Sequence, residues 1–308
     1  MTADPKQSRQ YTEGLVRRSA EFPDGEQSFL ASPGGPDAPR VVFSHATGFN
    51  ANAYRRLLAP LMGRAHILAP DQRGHGRSTL KADPRKLLSF DRYADDLVRL
   101  LEREGFAPAL LAGHSLGATV SVLAAAKRPD LATGVVLFEP VLTPAMLRWL
   151  AYSPAWIWMR EGIPIRRNAI RRRSRWANRS EVKASYEDKP FFASWAEGVL
   201  DDYLDGGLVE DEDGVRLACD PQWEGATFAA MGHDLWRAVR RLKAPSALVR
   251  AGKGSTAPAP LVQRYQRLQP EAKSLFFEDA GHLLPLERPD ACCAILSEML
   301  FGAPAEPA

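Results

Sequence analysis

Pro108-Ala-Leu-Leu-Ala-Gly-His-Ser-Leu-Gly-Ala-Thr-Val-Ser121 is the stretch of this 308-residue chain that decides its fold. At its centre Gly113-His114-Ser115-Leu116-Gly117 is a G-x-S-x-G sequence. A short apolar run, Ala109 to Ala112, leads in, and a small-residue helical run, Ala118 to Ala126, leads out. That order predicts a strand, a sharp turn and a helix. The turn strains the backbone at Ser115, and the flanking glycines let neighbouring chain approach without a Cβ clash. Ser115 then stands at the top of a sheet, above a helix N-terminus that favours negative charge. This context points to a nucleophilic serine. The plainer alternative is a glycine-rich turn that packs a helix onto a sheet.

Outward from this turn, strand and helix signals alternate. Gly14 to Arg18 and Gln27 to Ala31 read as strands around the turn residues Pro23-Asp24-Gly25. Val41-Val42-Phe43 and Ala65 to Ala69 read as buried strands, with a short helix from Ala53 to Met62 between them. Phe90, Tyr93, Ala94, Leu97, Leu100 and Leu101 have the spacing of an amphipathic helix. Val135 to Phe138 is a continuous apolar run, as in a strand covered on both faces. From about 141 to 243 the rhythm stops. It resumes with a strand at Ala247–Ala251, a helix near Ala259–Leu268, a strand at Leu275–Phe277 and a helix from about Pro289 to Leu300. The expected architecture is α/β, a doubly wound and mostly parallel sheet with ligands at the carboxyl ends of its strands. Residues 1–140 and 244–308 form its core, and 141–243 is an inserted, mainly helical cap.

Composition sets limits on partners. The net charge of +3 is too small to argue for nucleic-acid binding. Three cysteines, Cys219, Cys292 and Cys293, make no disulfide framework, so free thiols and a cytoplasmic setting are expected. They have no metal-ligand spacing around them, and Cys292 and Cys293 fall in the last helix. The polar stretch Met1–Ser8 lacks the apolar core of a signal peptide, and the tail Gly302–Ala308 reads as frayed. No run is long and apolar enough for a spanning helix. Oligomeric state is not legible.

A serine hydroxyl needs a base, and the base an orienting acid. Of six histidines, His282 follows the last expected strand, where a loop carries an imidazole over the sheet's carboxyl edge. The loop Ser44-His45-Ala46-Thr47-Gly48-Phe49 follows another strand and can aim a backbone N–H at a developing oxyanion. Thr47 is the expected first donor and Leu116, after the nucleophile, the second. The alternative is a turn in which Gly48 merely allows positive φ.

In four motifs taken in order, the chain resembles the α/β-hydrolase superfamily over nearly its whole length. His45-Ala-Thr-Gly48 resembles its His-Gly oxyanion loop, with alanine in the usual glycine slot. Asp71-Gln-Arg-Gly-His-Gly-Arg-Ser78 is similar to the loop after the next strand, Gly113–Gly117 to the nucleophile elbow, and Ala280-Gly-His282 to the histidine loop. The resemblance implies an α/β-hydrolase fold with a cap after the sixth sheet strand. One departure matters. The usual aspartate slot, after the strand preceding the last, holds Ser255 in Gly252-Lys-Gly-Ser255. Some members place the acid one strand earlier, where this chain has Phe138-Glu139-Pro140, so Glu139 is the expected acid and Asp279 the alternative.

These residues imply acyl transfer through an acyl-enzyme, with no metal or organic cofactor. The expected reaction is hydrolysis of a small-molecule carboxylic ester, as in an esterase or lipase. Lactonase, thioesterase, amidase, carbon–carbon bond hydrolase, perhydrolase and acyltransferase chemistry use the same groups. A binding protein on this fold and a cofactor-free oxygenase are the other classes. Relatives with an aspartate nucleophile, the haloalkane dehalogenases and epoxide hydrolases, are disfavoured by Ser115.

The insertion holds all seven tryptophans, Trp149 to Trp236. They are either the core of a small satellite unit or the lining of an apolar pocket over Ser115. Expected substrate-binding residues are His45, His114, Trp149, His233 and Trp236. The basic run from Arg166 to Arg175 reads as a solvated helix face, or as one facing an anionic substrate or a membrane surface. The apolar stretch Met146–Met159 before it leaves interfacial attachment open.

Overall fold

The computed structural model describes residues 14–302. The expectations for Met1–Ser8 and for the tail beyond Gly302 lie outside that range. Strands β1 (Val16–Phe22) and β2 (Gly25–Ser32) form a hairpin closed by Pro23-Asp24, with Phe22 opposite Gly25. Then follow β3 (Arg40–Ser44), β4 (His66–Pro70), helix α1 (Asp91–Glu104), β5 (Ala109–His114), helix α2 (Leu116–Lys127) and β6 (Ala132–Phe138). The helix expected over Ala53–Met62 is instead a single α-turn, Arg55–Leu58, between two 3-10 turns, Ala51–Tyr54 and Ala59–Leu61. Pro60 removes a backbone donor there and keeps the helix from running on.

After β6 come seven short helices, α3 (Met146–Ala151), α4 (Ala155–Met159), α5 (Pro164–Arg171), α6 (Arg179–Glu187), α7 (Val199–Gly207), α8 (Pro221–Phe228) and α9 (Leu235–Arg241). Interleaved with them are β7 (Arg175–Trp176), β8 (Leu208–Asp211) and β9 (Gly214–Leu217), a separate sheet in the order β7-β9-β8. Strands of two to four residues are too short to show alternation, which is why this stretch has no strand rhythm in the sequence. The helix expected from Trp195 starts only at Val199, because Gly198 is left-handed at φ 76° and interrupts it. The chain closes with β10 (Ser246–Lys253), α10 (Ala259–Leu268), β11 (Lys273–Gly281) and α11 (Pro289–Phe301).

The main sheet has eight strands in the order β1-β2-β4-β3-β5-β6-β10-β11. Pairing is antiparallel at β1/β2 and β2/β4 and parallel across the rest. The fold is thus the expected doubly wound, mostly parallel α/β sheet. Its central strands feed two cores. Val41, Phe43, Leu110, Ala112, Val136 and Phe138 face one side with α11, while Val42, Leu111, Val135 and Leu137 face α1 and α2 on the other. A strand buried on both faces needs an unbroken apolar run, and that is how β3, β5 and β6 read. Cys219, Cys292 and Cys293 are buried free thiols, the last two in α11.

Candidate active site

Ser115 lies between β5 and α2 with φ 54° and ψ −112°, a conformation L-residues avoid. Its N–H donates to Phe138 O (2.9 Å), which ties the turn to β6. The glycines are required by contact. A Cβ on Gly117 would run into the Ser44 carbonyl, and one on Gly113 into the backbone of Gly117. The turn therefore fits only where β5, α2 and the loop after β3 approach this closely.

Ser115 Oγ is 3.1 Å from His282 Nε2, and His282 Nδ1 is 3.0 Å from Glu139 Oε2. The carboxylate can only accept, so Nδ1 carries the ring proton when His282 is neutral, and Nε2 offers its lone pair to the serine. Glu139 is fully buried at the end of β6 and itself sits at φ 50°. Its Oε1 accepts from Ala251 N (2.6 Å) and Ser255 Oγ (2.8 Å), and its Oε2 from Thr256 N (3.0 Å). Ser255, in the slot where relatives carry an aspartate, thus donates to the glutamate that meets the histidine. Asp279, the alternative acid, is solvent-exposed on β11.

Three further histidines brace the loops around this group. His114 Nε2 donates to His282 O (2.8 Å), which leaves Nδ1 to accept from Tyr54 Oη (2.8 Å), and that hydroxyl accepts from Ala46 N (3.1 Å). His45 Nε2 accepts from Gln72 N (2.9 Å) while Nδ1 donates to Ala46 O (2.7 Å). His75 Nε2 accepts from Gly48 N (3.0 Å) while Nδ1 donates to Arg73 O (2.9 Å). Each ring is buried and has one accepting and one donating nitrogen, an arrangement only the neutral form satisfies. Burial lowers the pKa of His45 to about 4 and of His75 to about 3, and holds His114 well below the ordinary histidine range.

The same bonds engage the backbone on either side of Thr47. Ala46 N points to Tyr54 and Gly48 N to His75, while Thr47 N has no acceptor among the described residues. Leu116 is the first residue of α2, where backbone N–H groups have no intrahelical partner. Thr47 lines the same cavity as Ser115, and Leu116 follows Ser115 directly.

A cavity of about 530 Å³ opens onto Ser115 and His282. Thr47 and Phe49 line it from the core, and Ile165, Ala169, Trp176, Tyr186, Phe191 and Phe192 from the insertion. One ion pair crosses this wall. Arg172 binds both carboxylate oxygens of Glu224 (3.0 and 2.8 Å) and donates to Tyr186 Oη (3.0 Å). Tyr203 Oη also donates to Gly48 O (3.4 Å), joining the insertion to the loop after β3.

The five residues expected to bind substrate need correction, since none lines the cavity. His45 and His114 are fully engaged behind the loops. Trp149 is 71% exposed on α3, under Arg148. Trp236 is buried against the core and its indole donates to Thr143 O (2.8 Å), and His233 is buried flat against Phe90 with ring centroids 4.5 Å apart. Trp149 stays in water beneath Arg148, while Trp236 and His233 pack into the core around α9 and α1. Of the tryptophans only Trp176 reaches the cavity wall. Tyr54, Thr256, Tyr203 and the Arg172–Glu224 pair were not foreseen. Arg172 was visible only as one member of the basic run. Its partners are 14 to 52 residues away, and spacing along the chain does not signal such contacts.

The eight-stranded sheet and the elbow between β5 and α2 define an α/β hydrolase. A model of the alpha/beta hydrolase family matches residues 41–295, and the chain belongs to that family. It is 40% identical over 101 residues to a 2-(acetamidomethylene)succinate hydrolase of Mesorhizobium japonicum, covering 33% of this chain and 35% of that one. It is 35% identical over 109 residues to lipase LipV of Mycobacterium tuberculosis, covering 35% and 40%. These curated relatives are thus matched over less than half their length. The crystal structure of E-2-(acetamidomethylene)succinate hydrolase has a TM-score of 0.75 and 24% identity, covering 92% of this chain and 98% of that one, a likeness of fold. No helix among the described residues is long and apolar enough to cross a membrane.

Proposed function

We propose that this hydrolase cleaves carboxylic esters of hydrophobic acids through an acyl-enzyme on Ser115. The observation that carries the reading is the continuous line from Glu139 Oε2 through His282 to Ser115 Oγ, at 3.0 and 3.1 Å, opening into a largely apolar cavity. His282 Nε2 takes the serine proton as Oγ attacks the ester carbonyl. The N–H groups of Thr47 and Leu116 receive the oxyanion, and Glu139 stabilises the imidazolium. His282 then hands its proton to the leaving alcohol and activates the water that hydrolyses the acyl-enzyme. In this reading 141–243 is the cap that selects the acyl group, over a core of 1–140 and 244–308. Free buried thiols fit a cytoplasmic setting.

The test is turnover of p-nitrophenyl esters of graded length, from acetyl to palmitoyl, by wild type and Ser115→Ala. The expected result is loss of at least about 10⁴-fold in the variant, with an optimum at medium or long chains. Turnover unchanged in the variant, or absent in the wild type, overturns the ester-hydrolase reading.

A further inference from the structure

The described residues expose eleven large apolar side chains, and eight of them fall between Met146 and Phe191. Trp158 is 82% exposed, Trp149 71% and Met146 69%. Met146 and Trp149 are one turn apart on the same face of α3, and Ile157, Trp158 and Met159 are exposed together at the end of α4. A water-facing surface gains nothing from two tryptophans held in this way, and a cluster of this kind marks a surface that is covered during function. Ile165 and Phe191 are both exposed and both line the cavity that leads to Ser115.

Charge identifies what covers it. Between residues 141 and 180 the chain carries nine arginines and a single acid, Glu161, against a net charge of +3 for the whole chain. Several of these arginines bind acids elsewhere, as Arg148 does Asp234 and Arg172 does Glu224. Arg167 and Arg171 do not. They are exposed, one turn apart on the outer face of α5, and have no acidic partner among the described residues. Ile165, Asn168, Ala169 and Arg172 turn the other face of the same segment toward the cavity. Exposed tryptophan, methionine and isoleucine on α3 and α4, followed in the chain by the unpaired arginines of α5, match a boundary of acyl chains beneath anionic headgroups.

We propose that α3, α4 and the outer face of α5 form a docking surface for an anionic phospholipid membrane, which brings the cavity mouth at Ile165 and Phe191 to the bilayer. Esters partitioned into the bilayer then enter the cavity without crossing water, and lipid-borne acyl esters become the substrate class. This substrate assignment rests on the ester-hydrolase reading, whereas the docking itself does not.

The test is co-sedimentation of the full-length protein with vesicles of phosphatidylcholine alone or mixed with phosphatidylglycerol, alongside turnover of a soluble short-chain p-nitrophenyl ester. Binding to the anionic vesicles that weakens with salt is expected. Arg167→Gln/Arg171→Gln lowers it about 30-fold, at about fivefold per arginine. Trp149→Ser/Trp158→Ser lowers it at least about tenfold, and both variants keep the soluble-ester turnover of wild type, which shows that they fold. Absence of binding to anionic vesicles, or binding equal in wild type and both variants, overturns the proposal. So does sedimentation equilibrium in which wild type is a dimer and Trp149→Ser/Trp158→Ser a monomer, since a second copy then covers the patch. Vesicle binding by a wild type that hydrolyses no ester leaves the docking surface standing and removes the substrate class with the hydrolase reading.

Discussion

The main sheet and the segment from 141 to 243 are built on opposite terms. Strands β3, β5 and β6 are buried on both faces, and the ends of β5, β6, β10 and β11 hold Ser115, Glu139, His282 and the groups that bond to Glu139. Helices of the inserted segment are five to nine residues long, and among them α3 and α4 leave most of their large apolar side chains in water. Stabilisation of the sheet comes from long-range strand pairing. Helices this short are marginal on their own and hold their shape by packing. The difference separates the two demands on such an enzyme. Chemistry needs fixed distances and is carried by the rigid layer. In the proposed reading, substrate choice falls to the short elements that line the cavity.

Changes in the rigid layer should have the largest effects. Glu139→Gln presents an amide where the carboxylate accepts from His282 and favours the wrong imidazole tautomer. The expected outcome is a fall in kcat of about 10⁴-fold with little change in KM, measured on a short-chain ester. A fall below tenfold would mean that the acid is not part of the chemistry, and the contrast between the two regions would weaken.

Acid should act on the same layer. His45 and His75 are held neutral in the fold with pKa values near 4 and 3, lowered by burial from 6.5. Below pH 6.5 the unfolded chain takes up protons that the fold refuses. Stability is therefore intact above that pH and falls by about 1.4 kcal/mol per pH unit for each histidine. The loss continues until the folded values are reached. Urea midpoints measured from about pH 7 down to about pH 4.5 check this. A flat profile would show that the histidine braces behind the loop after β3 are not held neutral.

In the inserted segment the effects should be smaller and of a different kind. Phe191→Ala widens the cavity mouth and should shift the preferred acyl length, changing the ratio of long- to short-chain kcat/KM by about tenfold. A uniform loss at every chain length would place Phe191 in the chemistry instead. The smallest effect is expected for Trp149→Ala. This exposed side chain touches nothing in the cavity, so unfolding stability should move by no more than about 0.5 kcal/mol and soluble-ester turnover should stay level.

The same contrast explains what was legible in the sequence. Val41–Phe43, Ala109–Ala112 and Val135–Phe138 lie within strands because burial on both faces leaves an unbroken apolar trace. The elbow was legible because its glycines answer to contacts no side chain can share. Glu139 was within reach because it ends a strand and because Ser255 left the familiar slot without a carboxylate. The substrate contacts were not legible. Residue type alone points to Trp149, His233 and Trp236, yet an aromatic side chain in or beside a short helix serves a core, a cavity or an exposed face equally well. Phe49, Tyr186 and the Arg172–Glu224 pair meet the cavity through contacts distant in sequence, and no local pattern marks them.

The central claim, that Ser115 is a nucleophile activated by His282, is tested most directly by a fluorophosphonate probe with mapping of the labelled peptide. One adduct per chain on Ser115, absent in Ser115→Ala and slowed at least about 10³-fold in His282→Ala, is the expected result. An unlabelled Ser115, or labelling that proceeds at the same rate without His282, would contradict it.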